Sequence, residues 1–266
     1  MTISDEGLAR IAEVGLSPEQ LPRHVAVIMD GNGRWAQRRG LPRILGHRRG
    51  IQSVRSVVQE ACALGLDQLT LYCLSVENWK RPPRELTFLM RLLRHFLIVE
   101  RRELMEQNIQ LRMIGRPEGL PDDVMREFQA TAAMTAGNTG MVLCLAVNYG
   151  GRTELVDAIR AIAEGVRDGR IAAEEIDESV VSSYLYTSGM RDPDLLIRTS
   201  GEMRVSNFLL WQISYSELYV TPTLLPDFRS EDLLKACRAY ADRERKFGGL
   251  PAVSTARESA PSTLGA

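Results

Sequence analysis

Little in this chain is built for covalent cross-linking. Its 266 residues hold four cysteines, Cys62, Cys73, Cys144 and Cys237, scattered and without C-x-x-C spacing. That pattern argues against a disulfide framework or a cysteine zinc site and fits a reducing cytoplasm. Long apolar runs are missing too. The longest clean one, "MVLCLAV" at 141–147, is far shorter than the ~20 residues a membrane-spanning helix needs. The opening "MTISDEGLARIAEVG" is acidic and has no apolar signal core, so export is not expected. Net charge is nearly absent, at -1, which gives no molecule-wide footprint for nucleic acid. No G-x-x-x-x-G-K-[ST] is present, which speaks against a P-loop kinase. No Ser-His-Asp or Cys-His arrangement stands out. His24 and His95 lie in apolar settings that predict packed core side chains. One local absence is more informative: positions 31–59 contain seven arginines and no Asp or Glu.

What is present is 44% hydrophobic residues, arranged as short apolar runs alternating with helical periodicity. "HVAVIM" (24–29), "LTLYCL" (69–74), "IQLRMIG" (109–115), "MVLCLAV" (141–147), "DLLIR" (194–198) and "NFLLW" (207–211) read as strands. Apolar positions at helical spacing predict helices near 51–65, 84–107, 120–136, 152–168, 177–186 and 230–246. Helices between strands mean crossover connections. The expected fold is therefore a single α/β domain, a mainly parallel central sheet of about six strands flanked by helices. Its expected limits are an N-terminal segment 1–20, a domain over 21–250, and a tail 251–266 with too little to bury to be ordered.

In such sheets, ligands bind outside the carboxyl ends of the strands. Three loops at predicted strand ends concentrate the chemistry: 30–40, 75–84 and 199–206. The first contains Gly31-Asn32-Gly33-Arg34-Trp35-Ala36, which fits the G-x-G-x-x-A dinucleotide fingerprint. That fingerprint needs an acidic residue about 20 positions on for the ribose, where this chain has its acid-free arginine run. Asp30, directly before the first glycine, would also repel a diphosphate unless a cation sat between them. Both points weigh against a dinucleotide-dependent oxidoreductase. A diphosphate cradle uses every feature. Gly31 and Gly33 let backbone N–H groups approach phosphate oxygens, and Arg34, Arg43 and His47 supply charge-assisted donors. Asp30 then has a task, holding a bridging Mg²⁺.

The second loop, "LSVENWKRPPRE" (74–85), brings Ser75, Glu77, Asn78, Trp79 and Arg81 to the next strand end. Ser75 and Asn78 are candidate hydrogen-bond partners for a reacting group or phosphate. The third loop offers Arg198, Arg204 and Ser206 around a glycine turn. Two basic clusters at one sheet edge point to two phosphorylated groups held side by side. Glu217, in a mostly apolar context, is a candidate second carboxylate for the metal. Taken singly, Asp30 also reads as a helix N-cap, Asn78 as a turn residue and Glu217 as a surface glutamate. No D-D-x-x-D pair, the metal-binding signature of the all-helical trans-prenyltransferases, occurs.

"HVAVIMDGNGRWAQRRG", "GHRRG", "SVENWKRP", "TAGNTG", "NYGGR", "DLLIRTSGEMRVSNFLLWQISYSELY" and "RERKFGG" follow one another through nearly the whole chain. Together they resemble the cis-prenyltransferases, the undecaprenyl diphosphate synthase group. The resemblance implies a cytoplasmic, homodimeric enzyme that uses Mg²⁺ to condense isopentenyl diphosphate repeatedly onto an allylic diphosphate such as farnesyl diphosphate. By it, Asp30 is the catalytic aspartate and metal ligand, and Glu217 completes the metal site. Gly31, Asn32, Gly33, Arg34, Arg43 and His47 match the family's allylic diphosphate pocket, with Trp35 beside it. Ser75, Val76, Glu77, Trp79 and Arg81 match its second loop, where Asn78 is assigned a proton-accepting role. Arg198, Arg204, Val205 and Ser206 match the isopentenyl diphosphate site, and "RERKFGG" a segment that reaches it across the dimer interface.

The implied product is a long-chain polyprenyl diphosphate, undecaprenyl diphosphate as precursor of a glycan lipid carrier. It requires an apolar tunnel, placed between the sheet and the 84–107 helix, and peripheral membrane contact on release. Met203 stands where members often carry a polar residue, Leu74 replaces a usual aromatic, and Leu225 a usual tryptophan. Met203 and Leu74 are expected to alter the pocket. The alternative is a non-catalytic subunit of a heteromeric prenyltransferase, but such subunits typically lack the loop aspartate that this chain has as Asp30.

Overall fold

Short runs of Val, Ile and Leu form six strands: β1 (His24–Ile28), β2 (Gln68–Ser75), β3 (Gln110–Ile114), β4 (Val142–Tyr149), β5 (Leu195–Arg198) and β6 (Glu217–Val220). They belong to a computed structural model that describes residues 3–243. Neighbouring strands are all parallel, in the order β3-β4-β2-β1-β5-β6. Parallel pairs need crossovers, and helices provide them. These are α1 (Asp5–Glu13), α2 (Asn32–Arg38), α3 (Arg43–Ala63), α4 (Pro83–Val99), α5 (Arg101–Glu106), α6 (Asp122–Thr135), α7 (Gly151–Arg167), α8 (Glu178–Tyr184) and α9 (Ser230–Ala241).

The strands alternate between two apolar layers. Val25, Val27, Leu69, Leu71, Leu143, Leu145, Leu195 and Ile197 join the larger core with α1, α3, α4, α6 and α9. Ala26, Ile28, Tyr72, Cys144, Ala146 and Leu196 enter the other, closed by Phe208 and Leu209. Each buried Leu or Ile contributes about 1.5–3 kcal/mol. The segment before residue 21 is not separate from this core: Ile11 and Leu16 are buried in it, and Ser4 N–H donates to the Ala63 carbonyl at 3.1 Å.

Three expectations are corrected. "NFLLW" is a run of turns, not a strand. Ser206, Asn207 and Leu209 all have positive φ (48°, 61° and 47°), so the chain coils and its apolar side chains plug the second layer. The sixth strand is Glu217–Val220 instead. The long helix is interrupted at Glu100, whose buried side chain accepts from Arg55 Nε at 2.7 Å. His95 is exposed on the outward side of α4, whereas His24 is buried between the Arg191 carbonyl and Thr70 Oγ1 as expected. The tail 251–266 and "RERKFGG" after Arg243 lie outside the described residues.

Candidate active site

β1 has β2 on one side and β5 on the other, so the loops leaving β1 and β5 part at the carboxyl edge and leave a crevice. Asp30 lies two residues beyond Ile28, which is in register with Arg198 at the end of β5. Thr199 ties the two ends together. Its hydroxyl accepts from Asp30 N–H at 2.8 Å and donates to the Asp30 carbonyl at 2.6 Å. Gly31 then takes φ 107° against Leu224, a turn that a side chain would strain, and α2 begins. α2 packs closely on α3. A Cβ on Gly46 would fall 1.9 Å from the Asn32 carbonyl, so that glycine is needed for the approach.

The Asp30 carboxylate is held from three sides. Oδ1 accepts from Gly31 N–H at 2.6 Å; Oδ2 meets Arg198 Nη2 and Arg34 Nη2, each at 2.9 Å. Partial burial pushes its pKa up, but the hydrogen bonds and charges of Arg34 and Arg198 outweigh it and hold the group below its ordinary value. Arg198 is buried and also donates from Nη1 to the Arg204 carbonyl at 2.5 Å and to Ser206 Oγ at 2.6 Å. Its Nε is buried with no hydrogen-bond partner among the described residues. Arg34 continues to Ser200 Oγ and to Glu202 Oε1, the latter at 2.8 Å, and Glu202 also pairs with the exposed Arg204.

A second cluster gathers on Glu85, which the sequence reading missed. Arg81 Nη1 donates to Glu85 Oε1 at 3.0 Å, Arg43 Nε lies 3.5 Å from Oε2, and His47 Nε2 lies 3.4 Å from Oε1 without hydrogen-bond geometry. Burial raises Glu85, yet Arg81 and Arg43 bring it below the usual glutamate value. Burial, then Arg81, push His47 down to about 4, so it is neutral at pH 7. Arg43 occupies the space beside Gly33, its Nη1 2.5 Å from where a Cβ would be. Gly33 thus makes room for a guanidinium here.

The second loop starts at an irregularity in β2, where the register with β4 shifts between Tyr72 and Ser75. Asn78 Oδ1 accepts from Ser75 N–H at 3.2 Å, and Trp79 Nε1 donates to Asn148 Oδ1 at 2.6 Å. Asn207 Nδ2 donates to Glu77 Oε1 at 2.8 Å, joining the second loop to the third. The third is held from behind by buried Glu154, which accepts from Tyr149 Oη at 2.5 Å and Gln212 Nε2 at 3.1 Å.

All three loops open onto one polar cavity of about 540 Å³, whose wall includes Asp30, Asn32, His47, Ser75, Glu77, Asn78, Arg81, Arg198, Arg204 and Ser206. It adjoins an apolar cavity of about 130 Å³ between α3, α4 and the sheet, and the two share Met29, Asn32, His47, Cys73 and Leu89. The pair has the form of an amphipathic ligand, a charged head and an apolar tail. A family model described as "Putative undecaprenyl diphosphate synthase" matches residues 28–248.

The chain belongs to the cis-prenyltransferase family. It is 55% identical to an isoprenyl transferase of Rhodopirellula baltica, over 90% of this chain and 98% of that one. An isoprenyl transferase of Bacillus subtilis is 48% identical over 91% and 94%. Among solved structures, lavandulyl diphosphate synthase from Lavandula x intermedia, in complex with dimethylallyl diphosphate, is similar with TM-score 0.85 and 40% identity. That match covers 86% of this chain and 99% of that one. The protein is accordingly a prenyl transferase.

Of the expected site residues, Gly31, Gly33, Arg34, Trp35, Arg43, Val76, Trp79, Val205 and Glu217 are not among those lining the polar cavity. Trp35 faces Asp227, donating from Nε1 to Oδ1 at 2.8 Å, with Arg39 over its ring. Val76 and Val205 pack at the loop bases rather than on the polar wall. Glu217 lies away from Asp30 within the chain. It begins β6 level with Leu195, at the amino end of the strands, and pairs with Arg243 at 2.5 Å. Asp30 lies two residues beyond the opposite end of β1, an end that is itself about 10 Å along the strands from the level of Glu217, and two strands across. Within one chain the two carboxylates cannot share a metal ion. Among the described residues, no group of three His, Cys, Asp or Glu side chains gathers as a metal cluster.

The departures also sort differently from expectation. Leu74 and Leu225 both line the apolar cavity, whereas Met203 is 84% exposed and shapes neither cavity. The missed Glu85 had one legible signal, an acid in the first turn of a helix announced by Pro82-Pro83.

Proposed function

We propose that this protein condenses isopentenyl diphosphate repeatedly onto an allylic diphosphate, such as farnesyl diphosphate, and releases a long-chain cis-polyprenyl diphosphate, undecaprenyl diphosphate, as precursor of a glycan lipid carrier. One observation carries the reading: a polar cavity walled by Asp30, Arg198 and Arg81 adjoins an apolar one, with Met29, Asn32, His47, Cys73 and Leu89 lining both. Arg34, Arg43 and His47 flank the allylic diphosphate, while Arg198, Arg204 and Ser206 receive isopentenyl diphosphate. The similar lavandulyl enzyme was solved with an allylic diphosphate, which supports the substrate class.

Asp30 suits Mg²⁺. It is an ionised carboxylate on the polar wall, and Mg²⁺ is commonly held by one or two carboxylates with substrate phosphates. When bound, the ion adds positive charge against the diphosphate oxygens. The arginines stabilise negative charge on the departing diphosphate as the allylic C–O bond breaks. The isopentenyl double bond attacks the allylic carbon, a C–C bond forms, and a proton is lost to complete the step. Asn78 Oδ1 is a weak base, so it orients that proton and passes it to a diphosphate oxygen or water. Holding both substrates in register supplies a large part of the acceleration. We read the active form as a homodimer.

Purified protein with Mg²⁺, farnesyl diphosphate and labelled isopentenyl diphosphate is expected to yield a polyprenyl product that chromatography sizes. Folded protein that yields none would sink the reading.

A further inference from the structure

We propose that the outward face of α3 and α4 docks onto an anionic lipid bilayer and opens the apolar cavity sideways into it. The portal half of this rests on the cavity being the berth of an isoprenoid chain. On α3, Ile44, Arg48, Ile51 and Arg55 share one stripe, spaced i+4, i+3, i+4; on α4, Phe88, Leu92, His95 and Val99 do the same. Between the stripes lies a groove of about 320 Å³, lined by Arg48, Ile51, Arg55, Phe88, Leu92 and His95. Ile51 and Leu92 line the inner apolar cavity as well, so these two side chains form a wall between it and the outer surface.

Large apolar side chains are exposed at both ends of the groove, Leu41, Ile44 and Leu45 at one and Ile98 and Val99 at the other. The chain's own charges over 31–59, which include α2 and most of α3, are all positive. Arg39, Arg43 and Arg55 have carboxylate partners, but Arg38, Arg48 and Arg49 are exposed and meet none within ion-pair distance among the described residues. Apolar side chains interleaved with unpaired arginines match hydrocarbon beneath a negatively charged layer. A nucleic acid would use the arginines and leave Leu41, Ile44 and Leu45 wet. An acidic protein partner gives no reason for an apolar cavity directly behind the contact. A bilayer uses all three features, and it is where an amphipathic product of the inner cavity must go.

The test is co-sedimentation of the full-length protein with vesicles. Wild type is expected to sediment with equimolar phosphatidylglycerol and phosphatidylcholine at least ten-fold more than with phosphatidylcholine alone, and less as salt rises. Each arginine near such a surface is worth about five-fold, so R48E/R49E is expected to lose ten-fold or more of the binding. I44S/L45S, which keeps the charge, is expected to lose a similar amount. Both variants keep wild-type circular dichroism and wild-type product formation in detergent. Wild type left in the supernatant with the anionic vesicles overturns the proposal, as do variants that sediment like wild type. Product formed in detergent without vesicle binding refutes the docking and leaves the catalytic reading intact. Vesicle binding by an enzyme that forms no product refutes the portal.

Discussion

At the polar end of the cavity, nearly every functional side chain is fixed by a partner on another element: Asp30 by Arg34, Arg198 and Thr199, and Glu85 by Arg43 and Arg81. The apolar end, a few residues deeper, has no comparable contacts. Leu74, Leu89, Leu93, Phe96 and Leu225 border it through shape alone. Directional contacts set the position of a reacting atom, and their loss is abrupt. Dispersion contacts set a volume, and their loss is graded. The two ends should therefore respond to substitution in different currencies, rate at one and product size at the other.

Asp30→Ala tests the directional end most severely. It removes the carboxylate and leaves Arg34 and Arg198 without their shared partner. The initial rate is expected to fall about 10³-fold, or about 4 kcal/mol, with circular dichroism unchanged. A rate within ten-fold of wild type would break the contrast. At the other end, Phe96 borders both the apolar cavity and a smaller one beyond it beside Arg55, Glu100 and Leu104. Phe96→Ala joins the two. Urea unfolding should show a loss of about 3 kcal/mol, chromatography a shift to longer chains, and the first condensation an unaltered rate. Wild-type chain lengths would place the floor elsewhere.

His47 touches both cavities and gives the smallest effect. The unfolded chain takes up this proton near pH 6.5, the folded one only near 4. Its contribution is complete above about pH 6.5 and is lost as pH falls towards 4, at most about 3 kcal/mol. Melting temperature against pH should therefore fall less steeply below pH 6.5 in His47→Gln. Parallel curves would show that the imidazole already titrates normally in the fold.

Much of this was readable beforehand, and the errors have physical causes. Short apolar runs marked five of six strands, and three polar loops at their ends marked the crevice. Loop residues next to a strand end inherit their position from the strand, so Asp30, Ser75 and Arg198 were placed well. Glu85 was missed because its role depends on how α4 approaches α3, which no local spacing records. That Glu217 begins β6, at the amino end of the strands, was not legible, because sequence position says nothing about which end of a strand a residue occupies until the strand is known. "NFLLW" reads as β by composition, but positive φ at Ser206, Asn207 and Leu209 turns it into a plug. Apolar residues report burial more reliably than they report conformation.

The Thr199 hydroxyl stands in for a missing rung of the β1–β5 ladder. It accepts from one backbone group of Asp30 and donates to the other, as a paired residue on a neighbouring strand would. Asp30 therefore has the positional fidelity of sheet while belonging, by sequence, to a loop. Divergence begins only at Gly31, so substitutions across the exposed corner 37–42 are mechanically insulated from the carboxylate. The catalytic end stays registered while the corner that faces outward remains free to vary.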